Sequence, residues 1–417
     1  MRELRLRPAA GCGSRNGASD AGEFTPDADR LALRIVEPAA RTIPRAPCVE
    51  RRSCVPAGAG LREGRIVRFA GGRPRAGRRF ALACALAVCI LPPGAAASAE
   101  ADLPGVAAPL RLVNLNPFHL LYGVPASAGA RVMPEGTSEL IASLDMASHL
   151  RAGASGRERV LIDGESWRHG LALRHGLGGG WELLVDVPAV SHTGGVFDGF
   201  IEDWHDAFGL PQGDRDRVPR DRIALLYADG GGARVDIDGD VHSLGDVSLG
   251  LGYALPSSPF ANDGMVVRAT VKLPGGDEGA LAGSGGYSAS AWAETSGAFP
   301  GSAVSRNWLY AATLGVLAGE APGALSSIGG RFIAFGRFGV TWRVLEDLGL
   351  TAQIDIHSSP YGASALSALS DPAVMLGLGG TLRITERMVL EVAVTEDDGT
   401  RHAAPDIGLH AALRWRL

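Results

Sequence analysis

WELLVDVPAVSHTGGVFDGFIEDWHDAFGLPQGDRDRVPRDR, residues 181–222, opens as a clean alternating run. Trp181, Leu183, Val185 and Val187 fall on one face of an extended chain. Glu182, Leu184 and Asp186 fall on the other, and Pro188 is read as the strand's end. After Gly194 and Gly195 the spacing changes: Phe197, Phe200, Ile201, Trp204 and Phe208 recur at helical intervals. Asp198, Glu202, Asp203, His205 and Asp206 cover the remaining surface of that piece. A polar run from Gln212 to Arg222 leads into a second strand, Ile223–Tyr227. A long, aromatic and acidic insertion between strands reads as a lid or binding surface on a β scaffold.

Outward from this stretch the alternation repeats from residue 138 to the end. Met265, Val267, Ala269, Val271 and Leu273 oppose Arg268, Thr270 and Lys272. Phe338, Val340, Trp342 and Val344 oppose Arg337, Thr341 and Arg343. Leu382 and Ile384 oppose Thr381 and Arg383, and Trp167, Leu171 and Leu173 oppose Arg168 and Arg174. Period two with one apolar face suits a soluble sandwich, which buries that face, or a membrane barrel, which turns it to lipid. Persistent charges on the polar faces favour the barrel. So do 58 glycines, connections that alternate short and long, and an amphipathic last strand with Trp415 near its end. The fold expected is therefore all-β: a transmembrane antiparallel β-barrel of about 12 strands over 138–417. The count becomes 14 if the hairpin Ile223–Tyr227 and Ala233–Asp238 lies in the wall.

Residues 1–99 are of another kind. They hold 17 Arg against 8 acids, whereas the rest holds 22 Arg, Lys272 and 37 acids. All five cysteines, Cys12, Cys48, Cys54, Cys84 and Cys89, precede residue 90, so thiolate chemistry and disulfides are excluded from the barrel. Residues 1–72 lack a sustained period and read as a disordered leader or a misplaced start. Residues 73–99 carry an arginine cluster, the apolar run Phe80–Leu91 and the site Ala97-Ser98-Ala99, as a secretory signal peptide does. The 100–137 segment contains LVNLNPFHLLYGVPAS and is expected to be a periplasmic lead-in, an inward plug or an extra strand.

Several of these pieces, NPFHLLYGVP (116–125), Asp163-Gly164-Glu165, residues 181–215, LGDVSLGLGYAL (244–255), VKLPGGD (271–277) and GSGGY (283–287), resemble the bacterial domain-of-unknown-function 3187 family. The resemblance spans about residues 110–417 and implies an outer-membrane β-barrel of a Gram-negative bacterium. It supplies no catalytic residues to carry over. Departures are Gly275 in the PGG segment and a terminal Leu417 where an aromatic is usual.

The function expected is a porin-like channel or transporter for small solutes, with outer-membrane lipid as surroundings. Its C-terminal strand is expected to engage the barrel-assembly machinery. No cofactor and no nucleic-acid partner are expected. Lid candidates are Asp198, Phe200, Glu202, Asp203, Trp204, His205 and Asp206. Their carboxylates either bind a divalent cation or form a solvated helix face, the blander option being favoured, so no metal is assigned. Lumen candidates are Arg168, Arg174, Arg268, Lys272, Arg337, Arg343, Arg383, Glu182 and Asp186. These either attract anions or pair internally with acids such as Glu139, Asp145, Asp246, Asp355 and Glu391. The alternatives to a channel are a non-conducting structural or recognition barrel, or a lipid hydrolase built on Ser191 and His192. Adjacent strand residues point to opposite faces, which counts against that last pair.

Overall fold

The computed structural model describes residues 109–208, 219–255, 264–299, 307–399 and 401–417; the expected leader, signal peptide and cysteines lie outside them. Among the described residues no helix is long and apolar enough to cross a membrane. Among the described residues there are fifteen strands in chain order: β1 (Ser138–Ser155), β2 (Glu158–Gly178), β3 (Trp181–Thr193), β4 (Ala224–Asp229), β5 (Gly232–Ile237), β6 (Val241–Leu244), β7 (Val247–Leu255) and β8 (Met265–Leu273). Then follow β9 (Ser288–Ala298), β10 (Trp308–Gly319), β11 (Phe332–Leu345), β12 (Leu348–His357), β13 (Ala373–Thr385), β14 (Met388–Asp397) and β15 (Ile407–Arg416).

Twelve of these close a ring. β1 pairs with β2 on one side and with β15 on the other, from Glu139↔Arg416 to Ser148↔Ile407. The ladder runs antiparallel through β2, β3 and β7 to β15. Closure leaves no wall edge unpaired, which hydrocarbon demands. The remaining three strands sit at the long-loop end. The β4–β5 hairpin adds to the far end of β2 (Arg159↔Ala228 to Asp163↔Ala224), and β6 adds to the far end of β3. The hairpin at 224–237 is thus outside the wall and the count is twelve.

Pro188 does not end its strand. β3 pairs with β7 through Asp186 and with β6 from Ala189, and Pro188 stands at the switch, where no ladder amide is needed on that edge. Its carbonyl accepts from Gly245 N at 2.8 Å.

Exposure runs opposite to that of a soluble domain. On β12, Leu350, Ile354 and Ile356 are exposed while Thr351, Gln353, Asp355 and His357 are buried. On β13, Leu376, Leu378 and Leu382 face out and Thr381 faces in. Aromatics mark the borders of the apolar belt. Trp181 packs on Tyr253, and Trp308 stacks on Trp342 at 5.9 Å, all at the short-turn end with Trp415. Phe332 and Tyr287 are exposed at the other end. An outward apolar belt between aromatic girdles is the signature of a membrane barrel. The short-turn end also carries two longer connections, 256–264 and 299–307, so the asymmetry of its loops is not strict.

Residues 109–134 lie inside the ring. Leu110, Leu112, Leu115, Phe118, Leu121 and Tyr122 are buried, and Pro117–Leu120 forms the short helix α1, capped by the Asn116 side chain. Leu378 sits at mid-strand with 68% of its surface exposed. Leu378→Arg is therefore expected to cost about 2–4 kcal/mol in a bilayer. Urea unfolding from lipid vesicles, with Leu378→Ile as control, measures this.

Candidate functional site: the lumen and the segment it holds

A chain segment inside a barrel brings backbone amides and carbonyls that must all be bonded. The wall supplies the partners. Gln353 takes both polar groups of Leu110: its Oε1 accepts from the amide at 2.9 Å and its Nε2 donates to the carbonyl at 3.0 Å. The Arg111 amide donates to Glu391 at 2.6 Å. Further along, Lys272 donates to the Leu121 carbonyl, Arg337 to that of Pro125, and Arg268 to those of Gly129 and Arg131. Arg174 also donates to the Arg131 carbonyl, at 2.6 Å. On the acidic side, Glu294 accepts from Ser127 Oγ and the Ala128 amide, and Glu182 from the Met133 amide. Gly377 makes room for the segment: a Cβ there would meet Leu112 Cδ1 at 2.5 Å.

The same cations are neutralised by acids on neighbouring strands. Arg168 pairs with Asp145 and Asp186, and Arg174 with Glu139 and Glu182. Arg268, fully buried, lies between Glu182 and Glu294. Lys272 pairs with Asp246, Arg337 with Asp355, and Arg414 with Glu139. His410 holds Asp145 on one ring nitrogen at 2.5 Å and Glu391 on the other at 3.1 Å. His410 thus bridges the two acids through both ring nitrogens. Of the lumen candidates, seven come together here: Arg168, Arg174, Arg268, Lys272, Arg337, Glu182 and Asp186. Arg343 and Arg383 do not. Arg343 is exposed near the β11–β12 turn, and Arg383 is at the short-turn rim, paired with Asp347. Alternation assigns a face but not a depth. Arg111, Glu294 and Gln353 are participants that the polar faces alone did not single out, although Glu294 has inward parity on β9.

The long-loop mouth is closed by a different chemistry. Phe118, Leu121 and Tyr122 of the segment join one buried apolar cluster with Val160 and Ile162 of β2, Tyr227 of β4, Leu325, Tyr361 and Leu369. Tyr361 Oη donates to the Phe118 carbonyl and Tyr122 Oη to that of Gly330. The described side chains of loop 194–222 contribute none of this cluster. That loop carries the helix α2 (Asp198–Phe208). Its entry is fixed by Glu165, which accepts from the amides of Val196 and Phe197, and Phe197 packs against Trp167. Asp198 accepts from the Asp221 amide, and Glu202 pairs with Arg220. Phe200, Asp203 and Asp206 are exposed; residues 209–218 and the side chains of Trp204 and His205 lie outside what is described. Among the described residues no His, Asp and Glu cluster has metal-binding geometry.

The hydrolase pair is not assembled. Ser191 and His192 point to opposite faces, and His192 bonds Ser166 Oγ at 2.8 Å, which also contacts His149. Ser166, His149 and His192 are all buried, closed off from lipid and solvent.

Between the segment and the wall of β2, β3, β7 and β8 lies a cavity of about 100 Å³. It has room for several waters or one small organic solute. Arg111, Arg168 and Asp186 line it, with Leu184, Pro188, Val190 and Trp292 as apolar wall.

A closed twelve-strand ladder, apolar outside and charged inside, defines a transmembrane β-barrel with an occupied lumen. The chain belongs to the family described as protein of unknown function (DUF3187), whose model matches residues 85–417. No curated protein matches it. Among solved structures it is similar to the COG4313 outer membrane channel from Pseudomonas putida F1, at 11% identity and a TM-score of 0.46, covering 70% of this chain and 99% of that one. It is also similar to the toluene transporter TbuX of Ralstonia pickettii, at 10% identity and a TM-score of 0.34, covering 74% and 98%. A third is the KdgM porin in complex with disordered oligogalacturonate, at 6% identity and 0.33, covering 66% and 98%. At these values none of them bears on what this chain does.

His119 of α1 offers a readout of docking. Its ring is buried, with Tyr361 edge-on and the His357 ring 5.4 Å away. Burial, and secondarily His357, push its pKa down to about 3. Released into water it would titrate near 6.5. As pH falls from about 6.5 toward 3 the released state gains a proton that the docked state refuses, so docking weakens with acid. Hydrogen exchange at 118–121, corrected for intrinsic rate, is expected to accelerate by up to about tenfold per pH unit in that window. His119→Phe is expected to flatten the dependence.

Proposed function

We propose that the protein is a gated channel of a Gram-negative outer membrane that passes small solutes, with residues 109–134 as its internal gate. One observation carries this: the lumen is filled by a separate stretch of chain. A small barrel of about eight strands is filled by its own side chains. Twelve strands enclose more, and here the surplus holds a segment gripped through backbone groups by Gln353, Glu391, Lys272, Arg268 and Arg337. Such bonds are reversible. Each is worth about 1–3 kcal/mol where one partner is charged, so the grip is dissected one contact at a time. Behind the segment the wall keeps a ring of paired charges that would face a permeating solute. A barrel of this charge pattern selects by size and field and not by bulk hydrophobicity.

The test is single-channel conductance of the refolded chain in planar bilayers, with folding checked by heat-dependent gel mobility. Wild type is expected to be closed for most of the record. Gly377→Leu, which evicts Leu112, and the double change Gln353→Ala/Glu391→Ala, which removes the side-chain partners of Leu110 and of the Arg111 amide, are each expected to raise open time roughly tenfold or more. Folded variants that stay silent would overturn the channel and favour a non-conducting barrel, which the filled lumen and apolar outer cluster also fit.

A further inference from the structure

The cavity beside the segment contains a cation that no carboxylate of the described residues pairs. Arg168, Arg174, Arg268, Lys272, Arg337 and Arg414 each have a carboxylate oxygen within 3.4 Å. Arg111 has none among the described residues: its Nη1 donates to the Ser127 carbonyl at 2.6 Å, and it is the Arg111 amide that Glu391 takes. Arg111 lines the cavity. Asp186 lines the same cavity with 33% of its side chain exposed, held through Oδ2 by Arg168 at 2.6 Å. Its Oδ1 has no protein partner among the described residues. Arg111 and Asp186 both line the cavity and are not an ion pair; the other charged residues that line it, Arg168, Arg174, Lys272 and Asp246, are paired as described above. Water bridges two such groups in an empty site. A solute that brings its own charges replaces it.

We infer that this cavity is a binding site for a small zwitterion with an apolar side chain, an α-amino acid by chemical class. Arg111 would hold the carboxylate, Asp186 the ammonium, and Leu184, Pro188, Val190 and Trp292 the side chain. A forked guanidinium suits a carboxylate. The apolar wall favours a branched or aromatic body of a few carbons over a hydroxylated one. The paired charges around the site set the sign preference. With Arg168 shared between Asp145 and Asp186, a bare carboxylate would satisfy Arg111 but stand against Asp186 uncompensated, and a bare amine would do the reverse. A zwitterion satisfies both and leaves the buried net charge unchanged.

The site is also half on the wall and half on the segment: Asp186 belongs to β3 and Arg111 to the inserted chain. A bound guest bridges the two, so it holds the segment in place. This inference deepens the channel reading and rests on it only for the statement that the guest is cargo; binding itself stands apart.

The experiment is titration calorimetry on the refolded full chain in detergent with three probes of one body: L-leucine, 4-methylpentanoate and 3-methylbutylamine. Wild type is expected to bind leucine at least tenfold tighter than either mono-charged probe. Arg111→Gln is expected to abolish leucine binding. That residue is outside the strand ladder, and gel mobility checks that the barrel is intact. Asp186→Asn, which leaves Arg168 its bond to Asp145, is expected to lower leucine affinity tenfold and to raise that of 4-methylpentanoate. Equal affinity for leucine and 4-methylpentanoate in wild type, or leucine binding that survives Arg111→Gln, overturns the assignment. Leucine binding by a barrel that never conducts would overturn the channel and leave the site standing; conduction without binding would do the opposite.

Discussion

The interior of this barrel depends on the need of a buried backbone for hydrogen bonds. Residues 109–134 run through a lumen where their amides and carbonyls are cut off from bulk water, and an orphaned group there costs as much as a lost bond. The wall answers with long charged side chains, which reach carbonyls from β8, β11 and β2. Those charges then need counter-charges, because an unpaired buried ion costs several kcal/mol. Acids on β1, β3, β9 and β12, with Asp246 just ahead of β7, supply them. The order of dependence is thus segment, cation, acid, and removing any level exposes the next.

The ends of the segment and its middle are held by different forces. Its first residues and its exit toward β1 are gripped by polar groups, which are directional and set position. Its middle, around α1, is buried among apolar side chains from β2, β4 and the loops at 325 and 361–369, which are non-directional. A segment held this way opens in parts: local release at one end leaves the other docked. The cavity borders both zones: Arg111, Lys272 and Asp186 line it from the charged ladder, and Leu121 and Trp292 from the apolar cluster.

Much of this was legible from residue order. Period two separated lipid-facing from lumen-facing residues on nearly every strand, because a pleated chain presents alternate side chains to opposite sides. Trp415 near the end of the last strand followed from the same pattern, as did a count of twelve with fourteen left open; the pairing of Trp308 with Trp342 did not. Pro188 was misread: within one strand, proline is a stop signal, and only the change of partner from β7 to β6 makes it harmless. Arg343 and Arg383 share the parity of Arg337 but sit near the short-turn end. Ser191 and His192 were neighbours in sequence, yet the hydrogen bond to His192 comes from Ser166 across the β2–β3 ladder.

The chain's own order determined that this is a β-barrel with an apolar exterior and a charged interior, since that pattern is local and repeats with the strand period. Which acid pairs with which arginine, that the 109–134 segment lies within the ring, and that Arg111 and Asp186 line one cavity were decided only in three dimensions. The physical reason is range. Alternation is set by neighbours one or two residues apart, whereas these contacts join residues far apart in sequence, such as Arg111 and Glu391, 280 positions apart. They exist only once the ring has closed around the segment.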